Sequence, residues 1–166
     1  MSTALTNDLF AVYKECIRQA IADMLQATCG VSIQPQGEED GGLATNEIII
    51  GIVSLVGEAE MSIFIGLPRG TAPALVAKFA GFEVPYESPD MGDAVGEVAN
   101  ILGGGMKNLL DAKNIKVNIS LPTVMRAESI QVLRQHDGLS TKMGFQSPLG
   151  PLWVGITAGK GGGFVA

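Results

Sequence analysis

Glu97 and Asn100 are the residues whose types and spacing could do chemistry. A carboxylate only accepts hydrogen bonds and pairs with cations. A carboxamide accepts through its oxygen and donates through its NH2 without ionising. Three residues apart on a helix, the two side chains are neighbours on one face. From spacing alone this face is either a solvated stripe or a functional site, and most helical polar stripes face solvent.

The element that must position them is the stretch Pro89–Asp111, which reads as one long helix. Ser88 can cap it, Pro89 suits its first turn, and Asp90 and Asp93 lie at the positive end of the dipole. Advancing about 100° per residue sorts the side chains into two stripes. Met91, Val95, Val98, Leu102, Met106 and Leu109 form the apolar one; Asp90, Asp93, Glu97, Asn100, Gly104, Asn108 and Asp111 form the polar one. Gly103, Gly104 and Gly105 fall mid-helix, where each glycine costs about 0.5–1 kcal/mol relative to alanine. Either the helix packs tightly on another backbone, or something must approach its outer face at Gly104.

Composition bounds the rest. The 166 residues are 46% hydrophobic, enough for one core and too apolar for disorder. No apolar run approaches the ~20 residues of a membrane span; Ile48–Val56 stops at strand length. Met1–Leu5 lacks the basic-then-apolar order of a secretory signal. Cys16 and Cys29 read as buried thiols rather than a disulfide, so the expected compartment is the cytoplasm. A formal charge of -6 argues against nucleic acid.

In chain order, Thr6 or Asn7 caps a first helix over Asp8–Thr28, with Gly30 stopping it. Val31–Gln34 is a short strand and Pro35–Thr45 a Gly- and acid-rich surface loop. Glu47–Val56 and Glu60–Leu67 form a hairpin around Gly57-Glu58. Thr71 caps a short helix to Ala80. After the central helix come a strand at Ile115–Ser120, a break at Leu121-Pro122-Thr123, and a strand at Ser129–Arg134. Thr141–Gln146 and Leu152–Thr157 form a second hairpin around Ser147–Pro151, followed by a mobile glycine-rich tail at Gly159–Gly163. The order repeats, helix, strand, hairpin. The expected fold is α+β: a single domain over residues 1–166 built of pseudo-twofold duplicated α-β-β units (about 6–82 and 89–158). A largely antiparallel sheet carries the long helices on one face.

The run from Asp93 to Gly104, with Glu97-x-x-Asn100, the strand Ile115–Ser120 and then Pro122-Thr123-Val124, resembles the CheC/CheX/FliY family of chemotaxis phosphatases, the CheX branch most closely. The likeness extends over nearly the whole chain. CheC-type members carry Glu-x-x-Asn on both equivalent helices. Here the first helix has Glu15-Cys16-Ile17-Arg18, and arginine stands where asparagine would be needed, so the resemblance implies one site per chain. It implies a homodimer, and a substrate that is the aspartyl phosphate of a CheY-like receiver domain. The receiver supplies Mg2+ and a lysine, and this chain brings no cofactor or metal of its own. Phosphoryl transfer is mostly positioning and electrostatics. By the resemblance Asn100 orients the in-line water and Glu97 docks the receiver lysine. Asp93, Gly104 and Lys107 border that contact, although a solvated lysine is the plainer reading of Lys107. The other class is a receiver-binding or flagellar-switch-like module of the same fold without turnover.

His136, the single histidine, has no partner spaced for a triad or metal site and reads as a turn residue. Trp153 reads as core or dimer surface.

Overall fold

The first helix, α1, runs Asn7–Cys29 because both of its ends are sealed. The Thr6 hydroxyl accepts from the Leu9 N–H at 3.1 Å, and Gly30, at φ 67, closes the last turn in the left-handed conformation. The computed structural model describes residues 4–39, 43–44, 47–131 and 138–159. Two further helices, α2 (Ala72–Ala80) and α3 (Pro89–Asp111), and nine strands complete the described chain. The strands are β1 (Gln34–Glu39), β2 (Leu43–Ala44), β3 (Ile48–Gly57), β4 (Met61–Pro68), β5 (Val117–Ile119), β6 (Thr123–Ala127), β7 (Ile130–Gln131), β8 (Leu139–Ser147) and β9 (Gly150–Ala158).

Every paired strand is antiparallel. The main sheet has the order β1-β8-β9-β4-β3-β5, with β6 also on β3; β2 and β7 pair separately. The hairpin β3-β4 meets the hairpin β8-β9 through β4 and β9, and the first strand of each half crosses to the other half's hairpin. Exchanging the halves leaves this order unchanged, which is the pseudo-twofold, α+β arrangement expected from the repeated element order.

Alternation along β3 divides the sheet into two faces. Ile49, Val53 and Leu55 join the main core with α1 and α3, whereas Ile48 and Ile50 face the other way, where Trp153 covers them. Trp153 lies flat on Gly66: a methyl placed there would sit 2.2 Å from the indole Cε2. The Lys142 ammonium stands 5.3 Å over its ring. Cys16 and Cys29 are buried free thiols.

Several expected boundaries shift. The strand expected at Val31–Gln34 begins at Gln34 and runs through Glu39, inside the expected loop. It is an edge strand with a register shift between Pro35 and Gly37, a place where proline's missing N–H is tolerated. The expected break Leu121-Pro122-Thr123 is shorter, because Thr123 already pairs with Ile52 as the start of β6. Of the strand expected at Ser129–Arg134, Ile130–Gln131 forms β7, and residues 132–134 lie outside the described residues, as do His136 and the tail beyond Gly159. Pro151 is part of β9 rather than of the turn. Neither Thr71 nor Ser88 caps through its side chain: Thr71 donates to the Pro151 carbonyl at 2.7 Å, and Ser88 to the Pro85 carbonyl at 2.8 Å. No helix among the described residues is long and apolar enough to cross a membrane.

Candidate functional site

α3 settles on the sheet through its apolar stripe. Met91, Val95, Val98, Leu102 and Met106 are fully buried, and Leu110, rather than Leu109, completes the row. The fit against β3 is close: a methyl on Gly51 would lie 2.7 Å from Ala99 Cβ and 3.1 Å from the Val95 carbonyl oxygen. With that face fixed, the opposite one must point outward. Asp90, Asp93, Glu97 and Asn108 are exposed there, and Asn100, Gly104 and Lys107 are partly exposed.

The three glycines divide by role. A methyl on Gly103 would press on Ile119 Cδ1 at 2.5 Å and Val53 Cγ2 at 2.9 Å, so Gly103 serves packing on the sheet. Gly105 faces Ala20 of α1 at 3.6 Å. Gly104 would meet nothing within 4 Å, so no contact within the described chain calls for a glycine there.

A second wall runs beside the helix. Ile119 lies against Gly103, while Pro122 and Val124 lie against Gly96, at 3.7 and 3.4 Å from a methyl placed there. The segment 119–124 therefore runs antiparallel to α3, past the turn that holds Asn100. On the helical wheel Asn100 falls about 60° from Glu97 toward this wall. Glu97 stands on the crest and Asn100 on the slope beneath the β5-β6 connection. Among the described residues, the side chains of Asp93, Glu97, Asn100 and Lys107 have no hydrogen-bond or ion-pair partner. The helix thus brings Glu97, Asn100, Asp93, Gly104 and Lys107 onto one open surface. An unengaged amide there can accept from one group and donate to another at once.

Sequence reasoning missed Leu121, read only as part of a strand break. It is 89% exposed at the lip of this wall. The signal available was its place directly before Pro122, within three residues of the strand that flanks the helix.

The equivalent position on α1 is occupied differently. Arg18 donates to Glu38 of β1 at 2.7 Å and to Glu15 at 3.5 Å, Lys14 donates to Glu38 at 2.8 Å, and Thr141 donates to it at 2.9 Å. The hydrogen bond from Lys14 is the main cause that holds the Glu38 carboxyl below the usual range, with Thr141 and the two cations adding to it. Near the start of α3, Arg69 pairs with Glu47 and Glu87 and stacks 4.6 Å from the Tyr86 ring, and Arg126 donates to the Tyr86 carbonyl at 3.0 Å. Among the described residues no group of three His, Cys, Asp or Glu could hold a metal ion.

A family model described as chemotaxis phosphatase CheX matches residues 49–144. Solved structures share the fold at low identity. A CheC-like superfamily protein from Shewanella sp. PV-4 superposes with a TM-score of 0.79 at 21% identity, over 89% of this chain and 97% of that one. The chemotaxis protein CheX from Vibrio vulnificus gives 0.76 at 19% identity, over 87% and 97%. A chain of the CheX–CheY–BeF3–Mg2+ complex from Borrelia burgdorferi gives 0.68 at 22% identity, over 89% and 97%. No curated protein matches the chain.

Proposed function

We propose a function from one premise: the chain belongs to the chemotaxis phosphatase CheX family. On that premise it hydrolyses the aspartyl phosphate of a CheY-like receiver domain. A CheX-like chain of the same fold has been solved with CheY, BeF3 and Mg2+, which supports a receiver of this kind as the partner.

The acyl phosphate is already a good leaving group, and the receiver's own Mg2+ and lysine absorb charge on the phosphoryl oxygens. What remains is to hold a water in line behind phosphorus. Asn100 does this: its amide oxygen accepts from the water and its NH2 donates to a phosphoryl oxygen. Arg18, on the other long helix, has no acceptor and is already engaged by Glu38, so one site per chain is expected. Glu97 pairs with the receiver lysine and sets the docking register. Asp93 and Lys107 border the contact, and Gly104 lets the receiver's loops close on the helix. The chain contributes no metal; the Mg2+ belongs to the receiver. We propose further that the protein is a homodimer, as the family resemblance implies, which sedimentation at twice the chain mass would support.

The observation that carries this reading is the pair Glu97 and Asn100, unengaged on the outward face of α3 beside a glycine that nothing in the described chain requires. The test is the rate of phosphoryl loss from a panel of phosphorylated receiver domains with and without the protein. Faster loss from at least one supports it. Tight binding to a beryllofluoride-loaded receiver with no acceleration would establish the non-catalytic interaction module instead.

A further inference from the structure

Leu121 is a large apolar side chain held out into solvent by a rigid support. Its neighbour Ser120 is fixed at three points: its N–H donates to the Ser54 carbonyl at 2.8 Å, its hydroxyl accepts from the Ser54 N–H at 2.9 Å, and that hydroxyl donates to the Leu121 carbonyl at 3.0 Å. On the other side Pro122 fixes φ and rests against Gly96. Single exposed hydrophobic residues are ordinary on protein surfaces. This one differs in where it is held. Ile119 touches the helix at Gly103 and Pro122 touches it at Gly96, so the intervening Leu121 passes the turn of Asn100. It is 89% exposed, against 41% for Met125 and 54% for Val56.

The surface around it combines two kinds of chemistry. Asp90, Asp93 and Glu97 form an acidic crest, and none of them has an ion-pair partner among the described residues. Leu121 lies in the segment beside that crest, between Ile119 and Pro122, which pack on the helix that carries it. A complementary partner presents a basic group beside an apolar hollow. We infer that Leu121 is a specificity-determining contact of the proposed phosphatase site, seating in an apolar hollow on the receiver next to its phosphorylated aspartate. This inference rests on the function proposed above. The crest selects for charge and brings the receiver lysine to Glu97. Leu121 selects for shape by filling the hollow. Because the backbone on both sides of the leucine is already held, by the Ser120 hydrogen bonds and by Pro122, little backbone entropy is lost when it is covered.

The experiment measures receivers loaded with beryllofluoride and Mg2+ for binding, and the same receivers phosphorylated for turnover, against wild type, Leu121→Ala and Val56→Ala. Val56 is exposed on the sheet face away from α3, since its neighbour Leu55 lies in the core. Leu121→Ala is expected to raise both Kd and KM about tenfold, the scale of burying one leucine side chain, while kcat changes less than about twofold. Val56→Ala is expected to change neither. Unaltered Kd and KM in Leu121→Ala, with an active wild type, overturn this inference and leave the phosphatase reading standing. A wild type that neither binds nor dephosphorylates any receiver overturns both. Circular dichroism of the variants separates loss of contact from loss of fold.

Discussion

The guanidinium of Arg18 donates to the Glu38 carboxylate at 2.7 Å, which fills on α1 the position that Asn100 leaves open on α3. The two halves are alike in topology and opposite in state: one helix face is clasped to its flanking strand, the other is unengaged. The clasp ties stability to pH. Glu38 is held below the usual carboxylate range in the folded protein, mainly by the Lys14 hydrogen bond. Its contribution is therefore full above about pH 4.3, the unfolded value for glutamate, and is lost as pH falls through the lower folded value. Because the side chain is 34% exposed, solvent screening limits the effect to no more than about 1 kcal/mol. Glu38→Gln is expected to lower stability by that order at pH 7 and to converge with wild type in acid. Urea unfolding at pH 7 and pH 3.5 checks it; an equal gap at both values would contradict the assignment.

Gly103 and Gly104 are expected to respond oppositely to alanine. At Gly103 the new methyl overlaps Ile119 and Val53 within 2.9 Å, and overpacking of about 1–3 kcal/mol exceeds the helix-propensity gain. At Gly104 there is open space, so Gly104→Ala gains about 0.5–1 kcal/mol of stability. If a receiver closes on that spot, the stabilised variant loses kcat/KM. Thermal unfolding and receiver turnover, measured on both variants, check this. A Gly104→Ala protein more stable and fully active would remove Gly104 from the docking surface.

How much of this was legible in the sequence depended on how local the cause was. α3 was readable to the residue at both ends because proline, acids and a strong apolar period all act within one turn. Glu97 and Asn100 were readable as one outward face for the same reason. β1 was not: Gln34-Pro35-Gln36-Gly37-Glu38-Glu39 has loop composition, and it becomes a strand through its pairing with β8 and through the cations that Lys14 and Arg18 aim at Glu38. The glycine triplet left two alternatives, tight packing or an approach at Gly104, and could not divide them, because Ile119 and Ala20, the side chains that Gly103 and Gly105 face, are distant in sequence. Leu121 was invisible as a surface feature for a similar reason: only the packing of Ile119 and Pro122 on α3 shows where it stands.

Glu97→Ala is expected to weaken docking more than chemistry. Losing a charge pair at the rim of an interface should raise KM about tenfold, or about 1.4 kcal/mol, with the wild-type advantage shrinking as salt rises. Steady-state turnover of a phosphorylated receiver at low and high ionic strength measures it. A fall in kcat at unchanged KM would move Glu97 from docking to the chemical step.

The central claim is that an uncharged amide on α3 orients the attacking water. Its most direct test is the single-turnover rate of phosphoryl loss from a saturating complex with a phosphorylated receiver, wild type against Asn100→Ala. The side chain is outward and without a partner among the described residues, so circular dichroism should be unchanged. The account predicts a loss of about a hundredfold or more in rate with receiver affinity retained, the scale seen when one preorganised polar group is removed. A folded Asn100→Ala protein that hydrolyses the acyl phosphate as fast as wild type would contradict it.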